Sequence, residues 1–347
     1  MRAVAAGWYA SPAVARISPP TWWGNAGHHD NGKYGAAESP DIESQCQAQI
    51  EITPGRWPDI GACHAMSVLE LEDTALGLPF FNEERARAAG ESYAEAYRTA
   101  EPFPHIVLDD FVSKDLLRKV IAEFPTPEAG LTFARAQELK KTQYHPADCA
   151  PFTRHLLNEL NSQAFLAFLR AMTGIKGLVA DPYYVGGGLH ETKRGGLLGV
   201  HADFNMHPKM KLQRRINLLI YLNEEWDDSY GGHLELWDRG MTACQKKVAP
   251  LLGRAVMFNT DLDSYHGHPD PLNCPPEISR RSIATYYYTA FPGSEALAPK
   301  RTTNFQQRPG SKDKFDFKVR LRHLLQDWVP PAIQRSLKSR KPDASAD

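Results

Sequence analysis

Residues 195–288 constrain this chain more than any other stretch, because strand-like segments follow one another through it. Residues 215–223 read Arg-Ile-Asn-Leu-Leu-Ile-Tyr-Leu-Asn, residues 231–237 read Gly-Gly-His-Leu-Glu-Leu-Trp, residues 251–259 read as a buried apolar strand, and residues 280–288 read as another. On a strand, alternate side chains share a face, so two polar groups separated by one residue are aimed together. The triplet His201-Ala202-Asp203 is such a pair. It directs an imidazole and a carboxylate at one point while Ala202 turns away.

Two histidines and one carboxylate on one face of a metal, with the opposite positions open, suit a non-haem Fe(II) oxygenase. The third ligand has to come from elsewhere in the chain. His266 follows the 251–259 strand after a short turn, within Ser-Tyr-His-Gly-His-Pro, and a barrel would bring it beside His201. His268 and His233 are the alternatives. A metal-bound keto acid also has a distal carboxylate, and arginine suits planar, bidentate recognition of such a group. Arg280 and Ser282 alternate on their strand and would point inward together, with Arg281 outward. A one-residue slip in register would exchange the two arginines. Asn217 and Tyr221 share a face with Arg215, and polar groups in an apolar strand need partners once buried. They are candidate contacts for the keto acid, although Tyr221 also fits as a core aromatic whose hydroxyl reaches the rim.

The order His-x-Asp, distant His, Arg-x-Ser, set among the strands Leu-Leu-Ile-Tyr-Leu-Asn, Gly-Gly-His-Leu-Glu-Leu-Trp and Gly-Arg-Ala-Val-Met-Phe-Asn-Thr and the turn Ser-Tyr-His-Gly-His-Pro, resembles the 2-oxoglutarate- and Fe(II)-dependent dioxygenases. The surrounding text is similar to their prolyl 4-hydroxylase-like branch. The resemblance covers roughly residues 183–292 and extends more loosely back to about residue 102. It implies a mainly β protein with flanking α-helices: a double-stranded β-helix, or jelly roll, with N-terminal helical support. It implies Fe(II) held by His201, Asp203 and His266, the first histidine of His-Gly-His-Pro being the family's ligand position. Arg280 and Ser282 would take the distal carboxylate of 2-oxoglutarate, with Asn217 and Tyr221 near it.

The implied reaction consumes 2-oxoglutarate and O2, yields succinate and CO2, and hydroxylates an unactivated C–H bond. In related halogenases a small residue replaces the carboxylate ligand, so Asp203 points to hydroxylation. A prolyl or other peptidyl side chain is the first substrate expectation. A small molecule, such as an amino acid, a natural product, or a cell-surface sugar or lipid, is the second. L-ascorbate as a reductant is a family expectation that no residue here carries. Two alternatives remain from other classes: a cupin-like metal enzyme that does not use 2-oxoglutarate, and a non-catalytic jelly-roll binding module. Neither explains the Arg-x-Ser pair.

The resemblance divides the chain into an N-terminal extension (1–65), a helical support region with strands (66–180), the dioxygenase core (181–292) and a basic C-terminal helical extension with a tail (293–347). Residues 1–65 are rich in Pro, Gly, His, Gln and Trp without strand or helix periodicity, the pattern of a segment that builds no core. A native start at Met66 would account for that composition. Residues 83–100 carry a helical pattern, Ser113 or its neighbour caps a helix over 115–124, and 151–173 reads as two helices separated at Asn161-Ser162. Residues 140–144 form a polar surface loop, with a lid over the barrel mouth as the sharper alternative. Tyr184, His190, Lys193, Arg194, Asn205, His207 and Trp237 are positional candidates for substrate contacts. Beyond residue 292, basic residues interleave with Phe315, Phe317, Leu321 and Trp328, as in an amphipathic helix packed on the barrel.

A hydrophobic fraction of 42% is ample for a core, and a formal net charge of -1 argues against general binding to nucleic acid or anionic membrane. No run of residues reads as a transmembrane segment. The 5 cysteines are widely spaced with no Cys-x-x-Cys pair, which favours a reducing, cytoplasmic setting over a disulfide framework or zinc site.

Overall fold

The computed structural model describes residues 67–74, 77–291 and 301–313. The N-terminal extension, the proposed start at Met66 and the amphipathic segment containing Phe315 and Trp328 lie outside them. In chain order, a short hairpin of β1 (Leu71–Glu72) and β2 (Phe80–Phe81) leads to α1 (Glu83–Ser92) and α2 (Ala94–Arg98). Next come β3 (His105–Leu108), α3 (Lys114–Ala122), the hairpin β4 (Leu131–Arg135) and β5 (Glu138–Tyr144), α4 (Pro151–Glu159) and α5 (Gln163–Thr173). Then follow β6 (Val179–Ala180), β7 (Gly188–Ala202), β8 (Gln213–Tyr221), β9 (Leu234–Trp237), β10 (Cys244–Val248), β11 (Ala255–Asn259), β12 (His266–His268), β13 (Arg280–Thr289) and β14 (Asn304–Phe305).

The helices end where local chemistry tells them to. Ser113 accepts the Asp115 N–H at the start of α3, Ser162 accepts the Phe165 N–H at the start of α5, and Gly174 closes α5 in the left-handed conformation. The 83–100 helical pattern is split at Tyr93, the boundary between α1 and α2.

All pairings between the described strands are antiparallel. One group runs β7-β13-β8-β11-β3, and a second runs β7-β12-β9-β10, so β7 belongs to both. Its first half pairs with β13, its second half with β12 and β14, and β5 pairs with both halves. Between the halves, Gly195 sits at φ +74°, a conformation that costs glycine nothing. The result is a nearly closed antiparallel barrel, the jelly roll that the resemblance implied.

Alternation sorts the large sheet into two faces. Ile216, Leu218 and Ile220 of β8, Met257 of β11 and Tyr287 of β13 pack with Phe165, Phe168, Leu169 and Met172 of α5 in one buried cluster. On the other face, Tyr221, Val256 and Phe258 pack with Leu234, Leu236 and Val248 of the second sheet. The helices thus stiffen the outside of the sheet whose inside carries the polar site. No helix among the described residues is long and apolar enough to cross a membrane.

Two expectations are corrected here. Residues 140–144 are neither surface loop nor lid, because β5 is a full strand hydrogen-bonded to β4 and β7. The described part of the C-terminal extension is not helical: β14 pairs with the end of β7, and Arg308 ties the following turn to Asp270 and Asp313.

Candidate active site

His201 and His266 are direct cross-strand partners on β7 and β12, and Asp203 follows β7 immediately. His201 Nδ1 donates to the Gly199 carbonyl and His266 Nδ1 to the Ser264 carbonyl, each at 2.9 Å. A carbonyl can only accept, so each ring is held in the tautomer that leaves the Nε2 lone pair free. Both Nε2 atoms face the Asp203 carboxylate: His201 Nε2 is 3.6 Å from Oδ1 and His266 Nε2 is 3.5 Å from Oδ2. The three potential ligand atoms lie within 4.8 Å of one another. Burial pushes the Asp203 carboxyl up, but the charge of Arg214 beside it leads the opposing effects and the group is held well below the usual carboxylate range. Burial, and then His201, push His266 down to about 3, so its ring is neutral. Two neutral-capable nitrogens and one anionic oxygen converging in a buried pocket match the donor set of a facial Fe(II) site.

The triad lines a cavity of about 210 Å³ between the two sheets. Its floor is built in rows by strand register. Lys141, Thr192 and Arg280 are partners across β5, β7 and β13, while Gln143, His190, Ser282 and Tyr221 form the adjacent row from β5 to β8.

Arg280 points inward and is only 6% exposed. Its Nε donates to the Gly232 carbonyl at 2.7 Å and its Nη2 to the Tyr221 hydroxyl at 3.2 Å. Among the described residues no carboxylate pairs with it. Arg281 points the other way, bonding Glu191 at 3.0 Å and lying over the Phe124 ring. Ser282, 2% exposed, lines the cavity beside Arg280. Tyr221 lies behind Arg280, its hydroxyl accepting from the guanidinium.

Asn217 also lines the cavity. Its amide is engaged by protein groups: Oδ1 accepts from Arg214 Nε and Nη2 at 2.9 and 2.7 Å, and Nδ2 donates to Asp203 Oδ2 at 2.7 Å. Arg215 was expected to share its face, but β8 carries an extra residue at Arg215, where the pairing with β13 steps from Ile216 to Arg214. That bulge places Arg214 in the interior instead. Strict alternation gave no signal for Arg214.

His268 is buried and lines the cavity two residues beyond His266, while His233 lies outside it and bonds Asp228. Among the positional candidates, His190 lines the cavity. Tyr184 donates to Leu157, His207 faces Asp181, Trp237 donates to Glu235, and Asn205 accepts from the Arg301 backbone. Lys193 and Arg194 are exposed and outside the cavity lining. From β5, Glu138 joins Lys141 and Gln143 in the cavity lining. An extra residue at Lys140 (φ +52°) brings Glu138 and Lys141 to one face, where they pair at 2.9 Å.

Residues 187–288 match the family model described as the 2OG-Fe(II) oxygenase superfamily. Among solved structures, the chain is similar to a prolyl-4-hydroxylase from Pseudomonas putida (16% identity, 58% of this chain and 98% of that one, TM-score 0.41). It is also similar to a Trichoplax adhaerens prolyl hydroxylase in complex with a hypoxia inducible factor peptide fragment (15%, 59% and 91%, TM-score 0.42). A third is HygX from Streptomyces hygroscopicus with nickel, 2-oxoglutarate and hygromycin B bound (13%, 62% and 96%, TM-score 0.41). No curated protein matches the chain. With a jelly roll, a convergent His-Asp-His set and the family match coinciding over one stretch, residues 187–288 are a 2OG-Fe(II) oxygenase domain, and the protein is a 2-oxoglutarate-dependent dioxygenase that uses Fe(II).

Proposed function

We propose that the protein hydroxylates an unactivated C–H bond, with His201, Asp203 and His266 as the Fe(II) ligands and Arg280 as the anchor for 2-oxoglutarate. The observation that carries this reading is Arg280, a buried guanidinium with no carboxylate partner among the described residues. A buried charge is costly unless paired, so this one is held ready for an anion from outside. The cupin-like alternative gives it no work. Ser282 beside it and Tyr221 behind it supply the hydroxyls that complete the cradle. Bound iron would supply oxygen activation. The protein's part is to present two imidazoles and one carboxylate to the metal, to anchor the distal carboxylate of the keto acid at Arg280, and to exclude bulk water.

The cavity of about 210 Å³ is smaller than the roughly 300 Å³ at which drug-sized sites begin. After the co-substrate has entered, one small reacting group fits. A prolyl or other peptidyl side chain meets that limit, and so does one edge of a small molecule. The solved relatives include one with a peptide and one with hygromycin B, so they do not choose between these. A cytoplasmic location belongs to the same proposal and is supported by the free thiols of Cys149, Cys244 and Cys274.

The test is succinate formation from 2-oxoglutarate by iron-loaded protein exposed to oxygen, across peptide, amino-acid and glycan pools, with His201→Ala as control. Succinate that depends on iron and His201, accelerated by one pool, is the expected result and names the substrate class. Failure of the Fe(II) protein both to turn over and to bind 2-oxoglutarate would overturn the reading.

A further inference from the structure

Asp203 is the one proposed ligand whose side chain can bind a metal through one oxygen or two. Its two oxygens are not equivalent in this fold. Oδ2 accepts from Asn217 Nδ2 at 2.7 Å and faces Arg214 Nη2 at 3.2 Å. His201 Nε2 lies 3.6 Å from Oδ1 and His266 Nε2 3.5 Å from Oδ2, so both oxygens border the site while the Asn217 amide fixes the carboxylate through Oδ2.

The pair of donors is itself tightly built. Arg214 is 2% exposed, and its guanidinium lies 3.6 Å from the Tyr286 ring centroid and 4.6 Å from that of Phe204. Tyr286 is in turn fixed by donation to the Gly186 carbonyl at 2.8 Å. Arg214 holds Asn217 through two hydrogen bonds to Oδ1, which orients the amide so that its N–H side meets Asp203. Planar stacking, a fork of donors and an amide relay leave little rotational freedom.

We infer that Arg214 and Asn217 are positioning residues that hold the Asp203 carboxylate, through Oδ2, in the orientation that faces the two imidazoles and the metal they would bind. The inference rests on the proposed ligand set and extends it to the groups that orient it. The bulge at Arg215 is the feature that makes the arrangement possible, since without it Arg214 and Asn217, three residues apart on one strand, would face opposite sides.

The experiment is titration of Co(II) into metal-free full-length protein, followed by calorimetry and by visible absorption, for the wild type, Asn217→Ala, Arg214→Met, Arg214→Lys and His201→Ala. Asn217→Ala and Arg214→Met are expected to weaken Co(II) binding about tenfold to a hundredfold and to alter the ligand-field bands, the usual size of effect for groups that orient a ligand. Arg214→Lys, which keeps the charge but loses the fork, is expected to fall between. If Arg214→Met fails to fold, Asn217→Ala decides by the same readouts. Unchanged affinity and bands in folded variants, with only the melting temperature lowered, overturn the inference and make the pair merely structural. A Co(II) site that survives His201→Ala overturns the ligand assignment itself, and this inference with it.

Discussion

Two buried arginines stand on the floor of one cavity and are treated in opposite ways. Arg214 has its charge met by Asp203, its fork occupied by Asn217 and its faces covered by Tyr286 and Phe204. Arg280 has a backbone carbonyl and a tyrosine hydroxyl, and no carboxylate among the described residues. Burial lowers both guanidinium pKa values, but Asp203 more than restores Arg214, whereas Arg280 stays below its ordinary value. The difference separates a cation that is part of the scaffold from one that awaits a ligand. Burial alone would not have told them apart.

The sharpest way to break this comparison is to remove the waiting cation. Arg280→Ala loses a desolvated charge-assisted contact worth about 3 to 5 kcal/mol, so the 2-oxoglutarate requirement is expected to rise on the order of a hundredfold or more, with Co(II) affinity unchanged. Steady-state kinetics in 2-oxoglutarate check this, and an unchanged requirement would transfer the role to another residue.

A gentler change displaces Arg280 without deleting it. Gly232 adopts φ +71°, and a Cβ there would lie 2.5 Å from Leu272 Cδ2 and 3.0 Å from Arg280 Cδ. Gly232→Ala is therefore expected to raise the 2-oxoglutarate requirement by about tenfold, since a misplaced guanidinium forfeits roughly one charge-assisted hydrogen bond. The same kinetics, read beside the melting temperature, separate displacement from unfolding.

The smallest effect on the co-substrate is expected at the neighbouring position. Arg281→Ala should leave 2-oxoglutarate kinetics unaltered and cost about 1 to 3 kcal/mol of stability, because it removes a partner from the buried Glu191 carboxylate. Burial raises the Glu191 pKa, yet hydrogen bonds from Ser279, Arg281 and Tyr144 and the charge of Arg281 bring it below the ordinary value. A depressed carboxyl pKa contributes stability that is fully present above the unfolded value of about 4.5 and is lost as pH falls through the folded one. Acid unfolding curves should thus flatten in Glu191→Gln, and curves that superimpose on wild type would discard this linkage.

The sequence by itself determined what depends on local alternation and on landmark order. Arg280 and Ser282 sit two residues apart on one strand, and Asp203 directly follows the strand end that carries His201, so the common direction within each pair follows from the local pleat and needs no knowledge of the partner strand. The helix over Gln163–Thr173, with its Ser162 cap and apolar stripe, was legible for the same reason. Tertiary structure decided what depends on offsets between strands. The extra residue at Arg215 exchanged Arg215 for Arg214, and the one at Lys140 turned an expected loop into a cavity wall. Tertiary structure also engaged both ends of the Asn217 amide, by setting Arg214 and Asp203 on either side of it. A bulge shifts the inward face by one residue, and only the length mismatch between paired strands specifies it, so no single strand carries that information.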